Sequence, residues 1–181
     1  MKKYRTISGF RSMMLMVLLA TTFATWGCAT TLLTPNYSGL NIKPGFQIPM
    51  ASEGTHSAFY QSDDLAIHYQ YTKSGDSLTI AGTVSFSSGT MMNFNYVDYF
   101  NLALLIADAD GKILSNHPLV SASWVNLTTS NRQVRFSRSF NISPGAALMA
   151  FTYTGQASEG GSDGGENGGG NTQFWEYPIV K

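Results

Sequence analysis

The chain is predicted to be an all-β antiparallel sandwich, and three observations carry that prediction. Apolar residues recur at every second position in segment after segment, the period of a half-buried strand. Gly, Pro, Asp and Ser punctuate those segments at short intervals, as hairpin turns require. Beyond the first 28 residues, no long segment repeats its apolar residues with helical spacing.

The N-terminus reads differently. Lys2, Lys3, Arg5 and Arg11 precede an apolar run from Met13 to Ala20, and Ala24-Thr25-Trp26-Gly27-Cys28 closes it. This layout predicts a secretory signal peptide over residues 1–27, with an apolar core too short for a permanent spanning helix. Cys28 is the only cysteine, so it has no partner within the chain. Thr25-Trp26-Gly27-Cys28 resembles the bacterial lipobox: Gly27 fits, while Thr25 and Trp26 stand where that pattern prefers a leucine and a small residue. The resemblance implies cleavage before Cys28, a mature N-terminus that carries acyl chains, and attachment to a membrane through them. Each buried methylene adds about 0.8 kcal/mol, and stable anchoring takes more than one chain. Ala29, in place of an aspartate, implies the periplasmic face of the outer membrane. The alternative is an ordinary signal cut near Ala24 or Ala29, which gives a soluble periplasmic or secreted protein.

Residues 28–57 contain Pro35, Gly39, Pro44, Gly45, Pro49 and Gly54. They predict a tether that contributes at most a short edge strand. The sandwich domain is expected over residues 58–181. Leu65, Ile67, Tyr69 and Tyr71 share one face of its first strand, and Leu78, Ile80, Val84 and Phe86 share one face of the second. The turn Lys73-Ser74-Gly75-Asp76 makes these two a hairpin. Gly82 marks a bulge or a close backbone approach. Phe100 to Ala107 is apolar on both faces, as a central strand is. Asp108-Ala109-Asp110-Gly111 turns it into a return strand from Ile113 to Leu119, and Val120 to Ser130 reads as irregular. Val134, Phe136, Phe140 and Ile142 align in the next strand, with Arg138 as a misfit. Met149, Phe151 and Tyr153 align in another. In the last strand, Trp175, Tyr177 and Ile179 are expected inside, and Phe174 points outward. About seven strands without intervening helices favour an immunoglobulin-like sandwich over a closed barrel.

Leu78 to Val84, followed by Phe100 to Lys112 with its Asp108-Ala-Asp-Gly-Lys hairpin, resembles the FxLYD-type domains of bacterial lipoproteins. That resemblance covers about a third of the chain and implies an immunoglobulin-like fold and an envelope location, without a catalytic role.

Few residues suggest chemistry. The basic and acidic residues balance at 11 each, but four basic ones lie in the signal, leaving a mildly acidic mature chain unsuited to nucleic acid. The Gly-rich segment 159–171 offers oxygen ligands but lacks tandem calcium repeats, so it reads as a loop without a metal. His56, His68 and His117 have no metal-ligand spacing and read as solvated. Asp63-Asp64 and Asp98 are the carboxylates that a glycan-acting enzyme would have to bring together. Trp124 and Phe174 are the candidate partner-binding residues. The expectation is an exported, lipid-anchored envelope protein, acting as a non-catalytic binding or structural module with an envelope protein partner and no cofactor. The alternatives are an envelope enzyme acting on glycans, which needs a cleft, and a small-ligand carrier, which needs a cavity between the sheets.

Overall fold

Period-two alternation becomes strand pairing along the whole domain. The computed structural model describes residues 35–129, 132–160 and 170–180. The signal peptide, the lipobox with Cys28, and most of the Gly-rich segment lie outside them. The strands are β1 (Asn41–Ile42), β2 (Ile48–Pro49), β3 (Gly54–Gln61), β4 (Leu65–Ser74), β5 (Ser77–Phe86), β6 (Tyr96–Ala107), β7 (Ile113–Asn126), β8 (Gln133–Asn141), β9 (Leu148–Ser158), β10 (Asn171–Glu176) and β11 (Ile179–Val180). A short helix α1 (Ser88–Asn93) intervenes before β6. The Ser87 side chain caps it by accepting from the Thr90 amide at 3.3 Å, the usual task of an N-cap hydroxyl.

Two antiparallel sheets face each other. One runs β3-β4-β5-β8; the other runs β10-β9-β6-β7, with β2 pairing further along β9. Strands β4 to β10 follow the A, B, C, C′, E, F and G course of an immunoglobulin-like sandwich: β5 lies beside β8, and β6 beside β9. The expected fold class is therefore the observed one. β3 extends the first sheet by one strand.

Aromatic rings fill the space between the sheets. Phe86 meets Phe100 edge-on at 5.3 Å, and Tyr69 meets Phe151 edge-on at 5.0 Å. Phe174 stacks on Phe100 at 6.2 Å. These offset and T-shaped contacts suit the ring quadrupoles. Two glycines make room for such rings. Gly82 pairs across strands with Phe136, and Gly155 with Phe174. A methyl at Gly82 would lie 2.6 Å from the His68 carbonyl oxygen, and one at Gly155 would lie 2.8 Å from a Phe174 ring carbon.

β6 is the central strand expected from its apolar faces. One face joins the main core. On the other, Leu105 and Ala107 are buried with Ile42, Ile113 and Ala150, and Tyr37, Leu40, Phe46 and Ile179 pack around them. The hairpin after β6 is held by one side chain. Asp108 Oδ1 accepts from the Asp110 and Lys112 amides at 3.1 and 2.9 Å, and Gly111 takes a φ of 86°, a conformation suited to glycine.

Four expectations are corrected. Residues 35–57 are not a tether: β1 pairs with β11, β2 with β9 and β3 with β4, and Ile42 is buried. β7 does not end at Leu119 but runs on to Asn126, with register shifts against β6. The last strand is flipped: Phe174 is buried and Trp175 is exposed, because only Phe174 stands opposite Gly155. Finally, His117 is not solvated. It stacks on Phe140 at 3.9 Å, its Nε2 lies 2.8 Å from Ser115 Oγ, and burial lowers its pKa. Arg138, the misfit of β8, is an exposed residue whose Nε donates to the Leu119 carbonyl at 3.0 Å, linking the β7 and β8 edges.

Gly155→Ala and Gly82→Ala are each expected to lower stability by about 1–3 kcal/mol, the usual cost of overpacking, as read from urea unfolding midpoints. The depressed pKa of His117 means that the unfolded chain binds its proton more readily. Stability should therefore fall as pH drops below about 6.5, the ordinary histidine value. His117→Phe keeps a ring against Phe140, and the acid-side slope of stability against pH, measured from pH 7.5 to 5, should flatten in this variant.

A candidate binding platform on one sheet face

Among the described residues, the outer face of the β10-β9-β6-β7 sheet is only half covered. The segment from Tyr37 to Phe46, together with Ile179, packs over its Leu105, Ala107 and Ala150 end. Among the described residues, the other end is bare. Its side chains form two cross-strand rows set by the ladder register: Trp175–Thr154–Asn101–Ser121, and Gln173–Gln156–Tyr99–Ser123. Trp175 is 55% exposed and Tyr99 36%, although large aromatics are usually well buried.

A local irregularity shapes the margin. Against β9, β6 shifts register between Val97 and Tyr99, which leaves Asp98 as the extra residue. Its carboxylate accepts from Ser158 Oγ at 2.6 Å and Gln156 Nε2 at 3.3 Å. Across from it, between the paired residues Ser123 and Val125, Trp124 has a φ of 55°. A bulky residue in the left-handed region is a conformational outlier, and such outliers cluster at functional sites. Trp124 is 67% exposed and meets Tyr96 edge-on at 6.5 Å. Bulges commonly re-aim a side chain in this way.

Of the two residues expected to bind a partner, the structure keeps Trp124 at the surface and removes Phe174 to the core. Trp175 and Tyr99 were missed. The signal that would have found Trp175 is Gly155, the one position on β9 able to receive an inward Phe174.

The other candidates settle elsewhere. Asp98 lies on the outer face, whereas Asp64, in the turn between β3 and β4, is engaged by Tyr153 of β9, so the two carboxylates do not converge. There Tyr153 donates its hydroxyl hydrogen to Asp64 Oδ2 at 2.9 Å, with Ser62 Oγ 2.8 Å from the same phenol oxygen. Burial raises the Tyr153 pKa, and it pushes that of Tyr60 up to about 12, with Glu176 and Asp64 adding to the second shift. Both phenols therefore stay protonated donors at neutral pH. Burial also raises the Glu176 pKa; Lys43 opposes the shift, and Asp64 and Asp63 reinforce it. This cluster ties the β3–β4 turn to β9 of the facing sheet. His56 bonds the Glu53 carbonyl at 2.8 Å, and His68 lies against Phe59 at 4.6 Å. Among the described residues, no group of His, Cys, Asp and Glu is placed to hold a metal.

No family model, curated protein or solved structure matches this chain. Its function is read from geometry, and the geometry offers two surfaces. The second is a concavity of about 770 Å³ on the outer face of the β3-β4-β5-β8 sheet, lined by Ser57, His68, Gln70, Thr83, Arg135 and Ser137 among others. Its neighbouring exposed ring, Phe59, is already engaged by His68. The bare half-face carries more unengaged aromatic surface and is the stronger candidate.

Relief of the left-handed strain at Trp124 gives a test of its role. Asn visits that conformation readily, so Trp124→Asn is expected to unfold within about 0.5 kcal/mol of the natural protein or to exceed it. A loss of several kcal/mol in a denaturant titration would instead make Trp124 a packing residue.

Proposed function

We propose that the chain is an exported, lipid-anchored envelope protein whose sandwich is a non-catalytic binding module. The observation that carries the binding half of this reading is the bare half-face. It exposes Trp175 and Tyr99 beside the strained Trp124, on strands whose inner faces pack into the core. Binding at a surface also suits the interior, where Phe86, Phe100, Phe151 and Phe174 occupy the intersheet space that a small-ligand carrier would need. The address rests on sequence: the basic Lys2, Lys3, Arg5 and Arg11, the apolar run after them, and the lipobox-like approach to Cys28. It supports a location at the periplasmic face of the outer membrane, in keeping with the likeness of the Asp108 hairpin to lipoprotein modules of immunoglobulin-like fold.

Intact mass and membrane fractionation of the natural protein beside a Cys28→Ser variant test the address. The expected result is acyl mass on the natural protein alone and loss of membrane association in the variant. An unmodified, soluble natural protein would overturn the lipid anchor and leave a free exported domain.

A further inference from the structure

The bare half-face has a composition that selects among ligands. Its two rows hold two exposed rings, Trp175 and Tyr99, set apart by the amides and hydroxyls of Asn101, Thr154, Gln156 and Gln173. Trp175 and Tyr99 stand two strands and two residues apart, which puts their Cα atoms roughly 12 Å from one another. Asn101 Oδ1 accepts from Ser121 at 2.6 Å, which orients the amide, and its Nδ2 has no hydrogen-bond partner among the described residues. Among the described residues, the side chains of Thr154, Gln173, Ser123 and Tyr99 make no hydrogen bond and remain available. Neither row contains a Lys or an Arg, and the Asp98 carboxylate at their margin is held in place by Ser158 and Gln156.

We propose that this half-face binds a neutral polysaccharide chain, with Trp175 and Tyr99 as stacking rings and the intervening amides and hydroxyls reading its hydroxyl groups. The proposal rests on the binding-module reading and names its ligand. A pyranose presents an apolar face of C–H groups and a polar rim. The negative face of an aromatic ring attracts the former, and planar amides and hydroxyls can both donate to and accept from the latter. Spaced rings with polar groups between them repeat that alternation along a strand. A protein partner would favour a contiguous apolar centre with a polar rim, and here the rings are separated. An anionic glycan or a phosphate-rich surface would need cations that the rows lack, and it would meet the Asp98 charge. The covered end of the sheet stands as a step beside the platform and confines a chain to the bare half.

The test uses the purified natural protein, titrated by NMR with cellohexaose, xylohexaose, chitohexaose and mannohexaose, and with oligogalacturonate as the anionic control. At least one neutral hexasaccharide should give saturable shifts at the Trp175 indole and the Tyr99 amide. Trp175→Ala and Tyr99→Ala should each weaken that binding about tenfold, whereas Phe59→Ala on the opposite sheet should leave it unchanged. All three side chains are exposed, and melting temperatures close to that of the natural protein would confirm that the variants fold. The proposal is overturned by the absence of saturable shifts with all four neutral probes, by binding of oligogalacturonate alone, by shifts confined to the Phe59 and Gln70 face, or by unchanged affinity in folded Trp175→Ala. A photo-crosslinker at position 175 separates the two readings. Capture of an envelope protein without any glycan response would overturn the polysaccharide and leave the binding module standing.

Discussion

The pairing of Gly155 with Phe174 is the constraint on which the arrangement of this surface depends. β10 is a short edge strand of six residues, and its side chains alternate between core and solvent. A slip of one residue would exchange the two sets completely. Gly155 removes the ambiguity, because its missing side chain leaves a space on the inner face of β9 that the Phe174 ring fills. Phe174 then completes a cluster with Phe86, Phe100 and Tyr153. Once Phe174 is inside, Trp175 is outside. The exposed tryptophan is thus a consequence of core packing one residue away. Gly82 and Phe136 repeat the device in the facing sheet, so each sheet has one glycine-to-ring contact that fixes register where hydrophobic alternation alone would allow alternatives.

That device explains what could be read in the sequence and what could not. β4, β5, β6, β8 and β9 bury the residues that their alternation selects, because period two is a local property and most inward positions carry large apolar groups. β3 escaped notice because its inward positions are His56, Ala58 and Tyr60, a weakly apolar set. The ladder to β4 holds it in place. β10 was read in the wrong register because size favoured Trp175 and Tyr177 for the core. The deciding residue lies some twenty positions upstream, on another strand. Residues 28–57 read as a tether from their Pro and Gly content, yet β1 and β2 within them pair with the C-terminal β11 and with β9. Such contacts between distant segments leave no periodic trace.

The same N-terminal segment also defines the candidate site. β6 is apolar on both faces, and a two-layer sandwich covers only one of them. Tyr37, Leu40, Ile42 and Phe46 cover the other at the Leu105 end and leave the Tyr99 end to solvent. The sequence of β6 registers this change as a shift in outward residues, from Tyr99 and Asn101 to Leu105 and Ala107. The boundary of the platform is therefore written in the outward residues of one strand, although its meaning emerges only once the covering segment is in place.

The platform combines strain at its margin with rigidity at its centre. Trp124 holds an unfavourable φ beside the register shift at Asp98, and the regular ladders on either side keep the irregularity local. Trp175 and Tyr99 stand on strands whose opposite faces are locked into the aromatic core. Rings mounted in this way lose little freedom when a ligand arrives, so less of the contact energy is spent on ordering them. A loop-borne aromatic would have to be ordered on each encounter. A sheet-borne one is positioned by folding itself, which is why the register of β10 bears on recognition as directly as on stability.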